Sequence, residues 1–571
     1  MKEGIILKKG QPTHMIYEFD NLYDGVVKQA QRYGDKDRYI YKVKKEERHF
    51  TFNDMLAHVN YISSAMTRLG VAGSFVGVTG DTHPDYVATY IAAVSCGGVI
   101  VPLDKDISSE QFVGFVDLCD IELIVYTSSL HKKLLEICDK VKSVKYFVCI
   151  DFAGEDFPQD ERFMTFEHFL EIGREAYDAG DRTAENYVVD KEKLCTILFT
   201  SGTTGTSKGV MLNQRNLVTA TIDSVSIMAT SEKDSFVSVL PIHHAYEFTC
   251  SQLALPNTGA QTFINDSIKN TLRNFGQYKP TALVLVPLYV ETMHKKIWAE
   301  IEKKGKAETI KKLMPIARKL PRKVRRMIFR EIIDAFGGRL DYIVCGGAPL
   351  RPELITDFDT FGIRICEGYG ITECAPLVSC NPMHWRKPHS AGLKVPHMEV
   401  RIDKADPEDE TGEIVTHGDA VMMGYYKNPA ATAEAFTADG WFKTGDIGYM
   451  DEDGFIFITG RKKNVIIASN GKNVFPEEIE EYLGASELIS ECVVLGRKSG
   501  DENDVVITAL IYPDFDKLAG KTEEEVKAAI EAEVDEVNKK LPTFKHIKCV
   551  EIRDHEFEKT TSRKIIRYKL K

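Results

Sequence analysis

The chain has 571 residues, 43% of them apolar, and its 73 Lys and Arg against 85 Asp and Glu give a formal net charge of −12. This length allows three or more core-forming units, so a peptide module or a small disulfide scaffold is excluded. The ordinary composition excludes a largely disordered chain, and the negative charge excludes a nucleic-acid binder that works through overall basicity.

The cysteines and the first residues bear on the compartment. Twelve cysteines are scattered along the chain without a CxxC pair, so neither a zinc ribbon nor a thioredoxin-like dithiol is supported. Free thiols are typical of a reducing cytosol, and residues 1–15 lack the apolar core of a signal peptide. We therefore expect a cytoplasmic protein.

Helical and strand-like patterns alternate over the first two hundred residues. Apolar residues at helical spacing predict a helix over 50–69, with Thr51 or Asn53 as its cap. The uncharged stretch 86–103 is interrupted by two glycines, which predicts a buried helix followed by a buried strand, not a membrane span. Short apolar runs between helices predict an α/β fold whose mainly parallel sheet is covered on both faces. These runs are 75–78, 99–101, 123–126, 146–150, 196–200, 282–286 and 342–345.

The pattern of charged and apolar residues changes after Gly460. A charged junction leads into a short strand over 465–467, a turn-rich segment and an acidic helix. A second helix opens with a capping box of Thr522 and Glu525 and places four apolar residues on one face. We therefore predict a large N-terminal domain over 1–463 and a small α+β domain over 464–571.

One segment is strongly basic. Between Lys295 and Arg330 there are fourteen Lys and Arg and only three acids, hence 14 − 3 = +11. Two interpretations stay open: a solvated helical face, or a surface attracted to an anionic membrane or an acidic partner. In the second case the protein would be peripheral to the inner face of the membrane.

The sharpest chemical signal is a loop rich in glycine and hydroxyl residues over 200–209, directly after a predicted strand. Glycines let the backbone curl so that its N–H groups can point at phosphate oxygens, and the hydroxyls and Lys208 add donors. The Walker pattern fails, because it would need Gly at 207 and Ser or Thr at 209, where the chain has Ser207 and Gly209. The loop therefore predicts a phosphate site of another kind.

This loop resembles the signature of the AMP-forming adenylating enzymes, which include acyl-CoA synthetases, luciferases and nonribosomal-peptide adenylation domains. The resemblance continues in order over about residues 45–571. Further matching segments are PIHHAYE (241–247), GGAPL (346–350), EGYGITE (367–373), WFKTGD (441–446), GRKK (460–463) and KTTSRKI (559–565).

The resemblance implies a binding site for ATP. It assigns phosphate contacts to the loop residues Thr200, Ser201, Gly202, Thr203, Thr204, Gly205 and Lys208. It assigns the contact with adenine to the turn of Gly346, Gly347, Ala348 and Pro349, and further nucleotide contacts to the next motif, with Glu367, Gly368, Tyr369 and Gly370. Tyr369 offers the base an aromatic face, and Asp446, beside Arg461, can accept both ribose hydroxyls.

The resemblance also assigns the reacting groups. Thr372 would contact the α-phosphate, Glu373 together with Thr203 would hold Mg²⁺, and His244 would be the histidine of the acyl pocket. Lys564 would be the catalytic lysine, which neutralises the charge that develops as the acyl-adenylate forms. The usual SGK of this last motif is SRK here, so a further cation precedes the lysine.

The implied reaction has two steps with coenzyme A as the acceptor. A carboxylate attacks the α-phosphate of ATP, and a thiol then attacks the acyl-adenylate and releases AMP. Members of the family rotate the small domain between the steps, and the resemblance assigns the hinge to Lys463.

The basic helical insertion and the neighbouring motifs resemble those of long-chain acyl-CoA synthetases, so a medium- or long-chain fatty acid is the expected substrate. Three alternatives stay open: an aromatic or sterol acid, an acyl carrier protein as the acceptor, and a non-catalytic nucleotide-binding protein. We expect a monomer or a homodimer without a nucleic-acid partner.

Overall fold

The computed structural model describes residues 18–44, 46–152, 157–200, 207–228, 230–468, 472–498, 505–559 and 565–570, together with the backbone of 6–8 and 11–13. The α-helices are α1 (Leu22–Tyr33), α2 (Phe52–Arg68), α3 (Pro84–Ser95), α4 (Ser109–Cys119), α5 (His131–Ile137), α6 (Phe166–Asp178), α7 (Thr183–Asn186), α8 (Gln214–Ser226), α9 (Ala245–Glu247), α10 (Thr271–Tyr278), α11 (Pro287–Lys303), α12 (Ala307–Ala317), α13 (Arg322–Ile328), α14 (Arg330–Ala335), α15 (Pro352–Phe361), α16 (Pro429–Ala435), α17 (Pro476–Leu483) and α18 (Glu523–Asn538).

The strands are β1 (Ile6–Lys8), β2 (Gln11–Thr13), β3 (Asp37–Val43), β4 (Glu46–Thr51), β5 (Phe75–Thr79), β6 (Val99–Leu103), β7 (Leu123–Tyr126), β8 (Tyr146–Cys149), β9 (Phe163–Thr165), β10 (Leu194–Thr200), β11 (Lys208–Asn213), β12 (Ser235–Ser238), β13 (Gln261–Ile264), β14 (Ala282–Leu285), β15 (Tyr342–Cys345), β16 (Arg364–Gly370), β17 (Leu377–Cys380), β18 (Gly392–Lys394), β19 (Met398–Asp403), β20 (Gly412–Gly418), β21 (Gly424–Tyr425), β22 (Phe442–Met450), β23 (Phe455–Arg461), β24 (Ile466–Ile467), β25 (Asn473–Val474), β26 (Ile489–Lys498), β27 (Val505–Pro513) and β28 (Cys549–Ile552).

The described residues form two compact units. The first unit contains residues up to 200, 207–399 and 417–434, and the second contains 400–416 and 435–570. The second unit therefore includes strands that precede residue 463, and the predicted boundary between 463 and 464 does not coincide with this division. That boundary stays a prediction.

The first unit contains two large sheets. One has the strand order β21-β11-β10-β6-β5-β7-β8-β9 and is parallel from β10 to β9. The other runs β18-β17-β16-β15-β14-β12-β13-β3-β4 and is parallel from β16 to β3. The mainly parallel, helix-covered architecture predicted from the apolar runs is confirmed, but the runs are divided between two sheets.

The two faces of the second sheet have different surroundings: one packs in an apolar core and the other lines a cavity. Along β15, successive side chains point to opposite faces. Ile343 and Cys345 join a large apolar core together with side chains of helices α11, α12, α14 and α15. Tyr342 and Val344 point to the other face, where they line a cavity with side chains of α8.

Local signals within the first unit are also confirmed. Helix α2 begins after Thr51, whose hydroxyl accepts from the backbone N–H of Asp54 in a capping box. The uncharged stretch forms helix α3 and strand β6, both buried. Among the described residues, no helix is long and apolar enough to cross a membrane.

The second unit contains smaller groups of paired strands, among them the pair β24 and β25. Strands β20, β22 and β23 are neighbours in an antiparallel arrangement. Strands β26, β27 and β28 form a separate sheet, which packs with α17 and α18 around one apolar core. The predicted capping box of α18 is present, and its four apolar residues (Val526, Ile530, Val534 and Val537) are buried.

The basic segment is not a uniformly solvated face. Its arginines fold toward acidic and carbonyl groups that lie beyond the segment: Arg325 pairs with Asp359 at 2.7 Å, and Arg322 pairs with Asp341. Arg326 donates to the carbonyl oxygen of Leu340 at 2.7 Å. The predicted excess of +11 is therefore partly neutralised inside the fold.

Candidate active site

Strands β10 and β11 position the two ends of the predicted phosphate loop. The strands are antiparallel, and Thr200 is paired with Lys208, whose carbonyl oxygen accepts from the Thr200 hydroxyl at 3.4 Å. Five predicted loop residues, Ser201, Gly202, Thr203, Thr204 and Gly205, lie outside the described residues. Their phosphate contacts stay a prediction, as does the role of Thr203 toward a metal.

Lys208 is linked to Glu373 through Tyr425. The Lys208 ammonium lies 4.8 Å from the centre of the Tyr425 ring, and the Tyr425 hydroxyl donates to Glu373 Oε1 at 2.9 Å. Burial, and next the Glu373 charge, raise the pKa of Tyr425, so this phenol stays a neutral donor. Two residues that different motifs assign to one nucleotide are thus joined within the first unit.

Glu373 can take part in holding a magnesium ion that arrives with a nucleotide. One carboxylate oxygen accepts from Tyr425, and the side chain is half-buried in the short turn Thr372–Cys374. No cluster of three or more metal-ligating side chains occurs in the described part of the chain. Mg²⁺ characteristically uses one or two carboxylates together with substrate phosphates and water, so the residues present fit such an ion.

The two glycine-rich segments assigned to the nucleotide, 346–349 and 367–370, lie side by side. Strands β15 and β16 are parallel neighbours, with Cys345 opposite Glu367; the first segment directly follows β15, and the second is the last part of β16. Gly347 has φ +88°, a conformation that favours glycine. A Cβ atom on Gly346 would lie 3.1 Å from the carbonyl oxygen of Gly368, so the two segments approach closely.

The first of these segments forms an exposed rim, and the second contributes a buried aromatic ring. Gly347, Ala348 and Pro349 are exposed, whereas Tyr369 is 8% exposed. Glu367 accepts from the backbone N–H of His389 at 3.2 Å. That the rim contacts a base, and that Tyr369 stacks on it, stays a prediction.

Below these segments the first unit contains a cavity, open at one end, whose lining is mostly apolar. Gly346, Gly347, Gly368, Tyr369 and Gly370 line one end of this cavity. The wall and the far end are formed by residues of α8, β12, β14, β15 and their neighbours, among them Val225, Met228, Phe236, Cys250, Val284, Tyr342 and Val344. The site thus joins the two glycine-rich segments to a cavity that suits an apolar group.

Tyr246, and neither histidine of the PIHHAYE segment, lines this cavity. Its hydroxyl donates to the carbonyl oxygens of Leu285 and Val344, both at 3.3 Å. The rings of His243 and His244 lie 4.1 Å apart, and His243 Nε2 is 3.5 Å from Asp104. Burial and the adjacent His244 lower the pKa of His243 to about 3, so this ring is neutral at physiological pH. The assignment of His244 to substrate stays a prediction.

Glu247, which ends the same motif, is a buried structural group. It accepts hydrogen bonds from the Ser238 hydroxyl at 2.6 Å and from the Gln252 amide at 2.7 Å. Burial raises its pKa to about 7. These bonds fix the segment that presents Tyr246 to the cavity.

In the second unit, the antiparallel pairing of β22 and β23 places Asp446 opposite Arg461. Arg461 Nε lies 2.8 Å from Asp446 Oδ1, and Asp446 is 3% exposed. The predicted adjacency of these residues is therefore confirmed. Their contact with a ribose stays a prediction.

Lys564 lies outside the described residues. The residues on either side of that segment, Lys559 and Ile565, form an antiparallel bridge. Lys463 lies in the 3₁₀ turn Lys462–Asn464, directly after β23.

Comparison with known proteins gives matches along most of the chain. A family model described as AMP-binding enzyme matches residues 26–426, and one described as AMP-binding enzyme C-terminal domain matches 463–571. The long-chain-fatty-acid–CoA ligase FadD15 of Mycobacterium bovis is 32% identical over 483 residues, which cover 81% of this chain and 76% of that protein. Fatty acyl-CoA synthetase B of Dictyostelium discoideum is 26% identical, with 89% and 80% covered.

Solved structures share the fold. The anthranilate CoA ligase AuaEII in complex with anthranoyl-AMP has a TM-score of 0.77 at 20% identity, with 97% of each chain covered. The Mycobacterium tuberculosis fatty acyl CoA synthetase has a TM-score of 0.65 at 20% identity, with 96% of this chain and 97% of that chain covered.

Proposed function

Because this chain belongs to the AMP-binding enzyme family, we propose that it ligates a medium- or long-chain fatty acid to coenzyme A, while ATP is cleaved to AMP and pyrophosphate. The observation that carries this proposal is an apolar cavity whose open end is formed by the two glycine-rich segments assigned to the nucleotide. A chain-like apolar acid in the cavity would hold its carboxylate at those segments.

In the first step, a carboxylate oxygen of the fatty acid forms a bond to the α-phosphorus, and the bond from that phosphorus to the bridging oxygen breaks, which releases pyrophosphate. In the second step, the thiolate of coenzyme A attacks the acyl carbon, and AMP leaves with the carboxylate oxygen. Both steps depend mainly on positioning and on stabilisation of charge. Lys208, Thr372 and Lys564 would supply donors to the phosphate oxygens, and Mg²⁺ would add charge neutralisation.

The choice of substrate and acceptor has two supports. The relatives named above are fatty acyl-CoA ligases or synthetases, and the cavity is lined almost wholly by apolar groups. An aromatic or sterol acid and an acyl carrier protein remain the competing substrate and acceptor. Cytoplasmic location and a monomeric or homodimeric state are further proposals.

A pyrophosphate-release screen tests the proposed reaction. Straight-chain acids from acetate to oleate are offered with ATP, alongside benzoate, anthranilate and a sterol acid, and each active acid is then offered coenzyme A or an acyl carrier protein. We expect release to be fastest with fatty acids and the thioester to form with coenzyme A. Absence of carboxylate-dependent ATP–pyrophosphate exchange would support a non-catalytic nucleotide-binding protein instead.

We also propose that helices α12 and α13 contact an anionic membrane surface, from which an apolar acid would be drawn. Ile316 and Met327 are 60% and 67% exposed, and Lys312, Lys319 and Lys323 are exposed near them in the sequence. Apolar groups among cations suit the interface of an anionic bilayer. This surface is smaller than the basic segment, because Arg322, Arg325 and Arg326 of that segment contact acidic or carbonyl groups within the fold.

Vesicle flotation tests this surface. The triple charge reversal of Lys312, Lys319 and Lys323 to Glu should lower the fraction bound to vesicles that contain phosphatidylserine by at least about tenfold, since each cation contributes about 1 kcal/mol near such a surface. The matched control reverses Lys132, Lys140 and Lys142, which are also exposed. Equal binding by both triple variants would refute the proposed surface.

A further inference from the structure

The apolar cavity has a closed end. Tyr342 and Phe236 line it there and are 2% and 3% exposed. The oxygens of the Tyr342 and Thr230 side chains lie 3.2 Å apart in a buried hydrogen bond, and the Tyr342 and Phe236 rings meet edge to face with centroids 6.5 Å apart. A hydrogen-bonded, packed ring is held in place, so this end acts as a fixed floor.

The exposure of the lining residues shows which end is open. Along β15 and the segment that follows it, Tyr342 is buried, Val344 is half-buried and Gly347 is exposed. The open end is therefore the end that carries the two glycine-rich segments, where the carboxylate would react. The alkyl chain would extend from there toward Tyr342.

The depth of the cavity follows from the number of residues between its open end and its closed end along β15. From Gly346 to Tyr342 there are four residue steps, which at about 3.3 Å each span about 13 Å. An extended polypeptide spans about 3.3–3.6 Å per residue, that is, over three main-chain bonds. By the same geometry an extended alkyl chain lengthens by about 1.2 Å per carbon. The cavity therefore accepts a straight chain of about ten carbons.

We propose that Tyr342, held by Thr230 and Phe236, sets the upper limit of chain length, so that the preferred substrates are medium-chain acids of about ten carbons. This inference rests on the proposed acid–thiol ligase function and names its substrate class. It differs from the names of the relatives, several of which are long-chain ligases.

Chain-length profiles test the floor. In the wild-type enzyme, kcat/KM for pyrophosphate release should rise roughly fourfold per added methylene from hexanoate to decanoate, because each buried methylene adds transfer free energy. For acids longer than decanoate, kcat/KM should not rise further, because the additional carbons would contact no apolar surface of the cavity. The Tyr342→Val variant retains a residue that favours strands and deepens the cavity, so its ratio of palmitate to decanoate should increase at least about tenfold.

Two further variants make the test specific. Val344→Phe fills the cavity nearer its mouth and should shift the optimum to acids shorter than decanoate. Phe263→Val truncates a buried ring on the opposite face of the same sheet, in the core with Ile343, and should retain the wild-type profile. Thermal denaturation of every variant monitors folding.

The outcomes separate this inference from the proposed function. If the wild type uses palmitate as well as decanoate and Tyr342→Val leaves the profile unchanged, the floor is refuted while the ligase function stands. Thermal stabilisation by the same acids without ATP gives a second measure of binding. If no acid supports pyrophosphate release but stabilisation still peaks near decanoate and shifts in Tyr342→Val, the chain-length limit stands and the ligase function falls.

Discussion

Replacing Lys564 with alanine is expected to lower the rate of acyl-adenylate formation by roughly 10²–10³-fold, the usual cost of removing one preorganised donor to a developing negative charge. Lys564 would neutralise charge on the carboxylate and α-phosphate oxygens in this first step, and the proposed rotation of the small domain would then remove it from them before the second. Thioester formation from preformed acyl-adenylate and coenzyme A should therefore change by no more than a few-fold. ATP–pyrophosphate exchange and a single-turnover thioester assay measure the two half-reactions separately.

A neighbouring lysine provides the matched control. Lys569 lies near the same terminus and pairs with Glu558 at the surface, so Lys569→Ala removes a cation without a proposed role. It should leave both half-reactions near the wild-type rates. If Lys564→Ala retained full adenylation, or lost both half-reactions equally, the assignment of the catalytic lysine would be wrong.

Several elements could be predicted because their signals are local. The capping residue of α2 is three positions from its partner, and the glycines that end α3 directly precede β6. The capping box of α18 is equally short in range. In such segments a helix or strand is stabilised by neighbours in sequence, so its pattern can be recognised without tertiary information.

The pairing of strands could not be predicted in the same way. Apolar runs identify buried strands, but an isolated run does not determine its neighbour. Strand β3 pairs with β13, more than two hundred residues later, and β10 pairs with β6 across a long intervening segment. These contacts depend on packing of the whole chain, so the apolar runs alone did not indicate which strands share a sheet.

Long-range contacts also changed the interpretation of charge. Counting within 295–330 gave a strongly basic segment, yet Asp341 and Asp359 pair with its arginines from outside that window. The motifs identified Lys208 and Glu373, but nothing local indicated that Tyr425 connects them. A tyrosine in the GYYKNP segment becomes significant only when β21 is placed beside β11.

The opposite pattern of half-reactions is expected for Lys463→Pro. Adenylation should stay within a few-fold of wild type, whereas thioester formation should fall by at least roughly 10²-fold, since misplacement of reacting groups by about 1 Å costs that much. Proline fixes φ near −65° and so prevents a residue from taking up a large change in backbone angles. The proposed rotation of the small domain between the two steps needs such a change.

Lys463 lies between two residues that contact different elements of the second unit, and its role as the hinge stays a proposal. On one side, Lys462 pairs with Glu413 of β20 at 2.7 Å, and on the other, the Asn464 amide donates to Glu477 of α17 at 2.6 Å. Both neighbours therefore contact packed elements, whereas Lys463 itself is exposed, so that a substitution there does not disturb the core. Lys463→Ala, which removes the same charge but leaves φ free, is the control and should retain both half-reactions. If Lys463→Pro lowers both together, or neither, the hinge lies elsewhere in the chain.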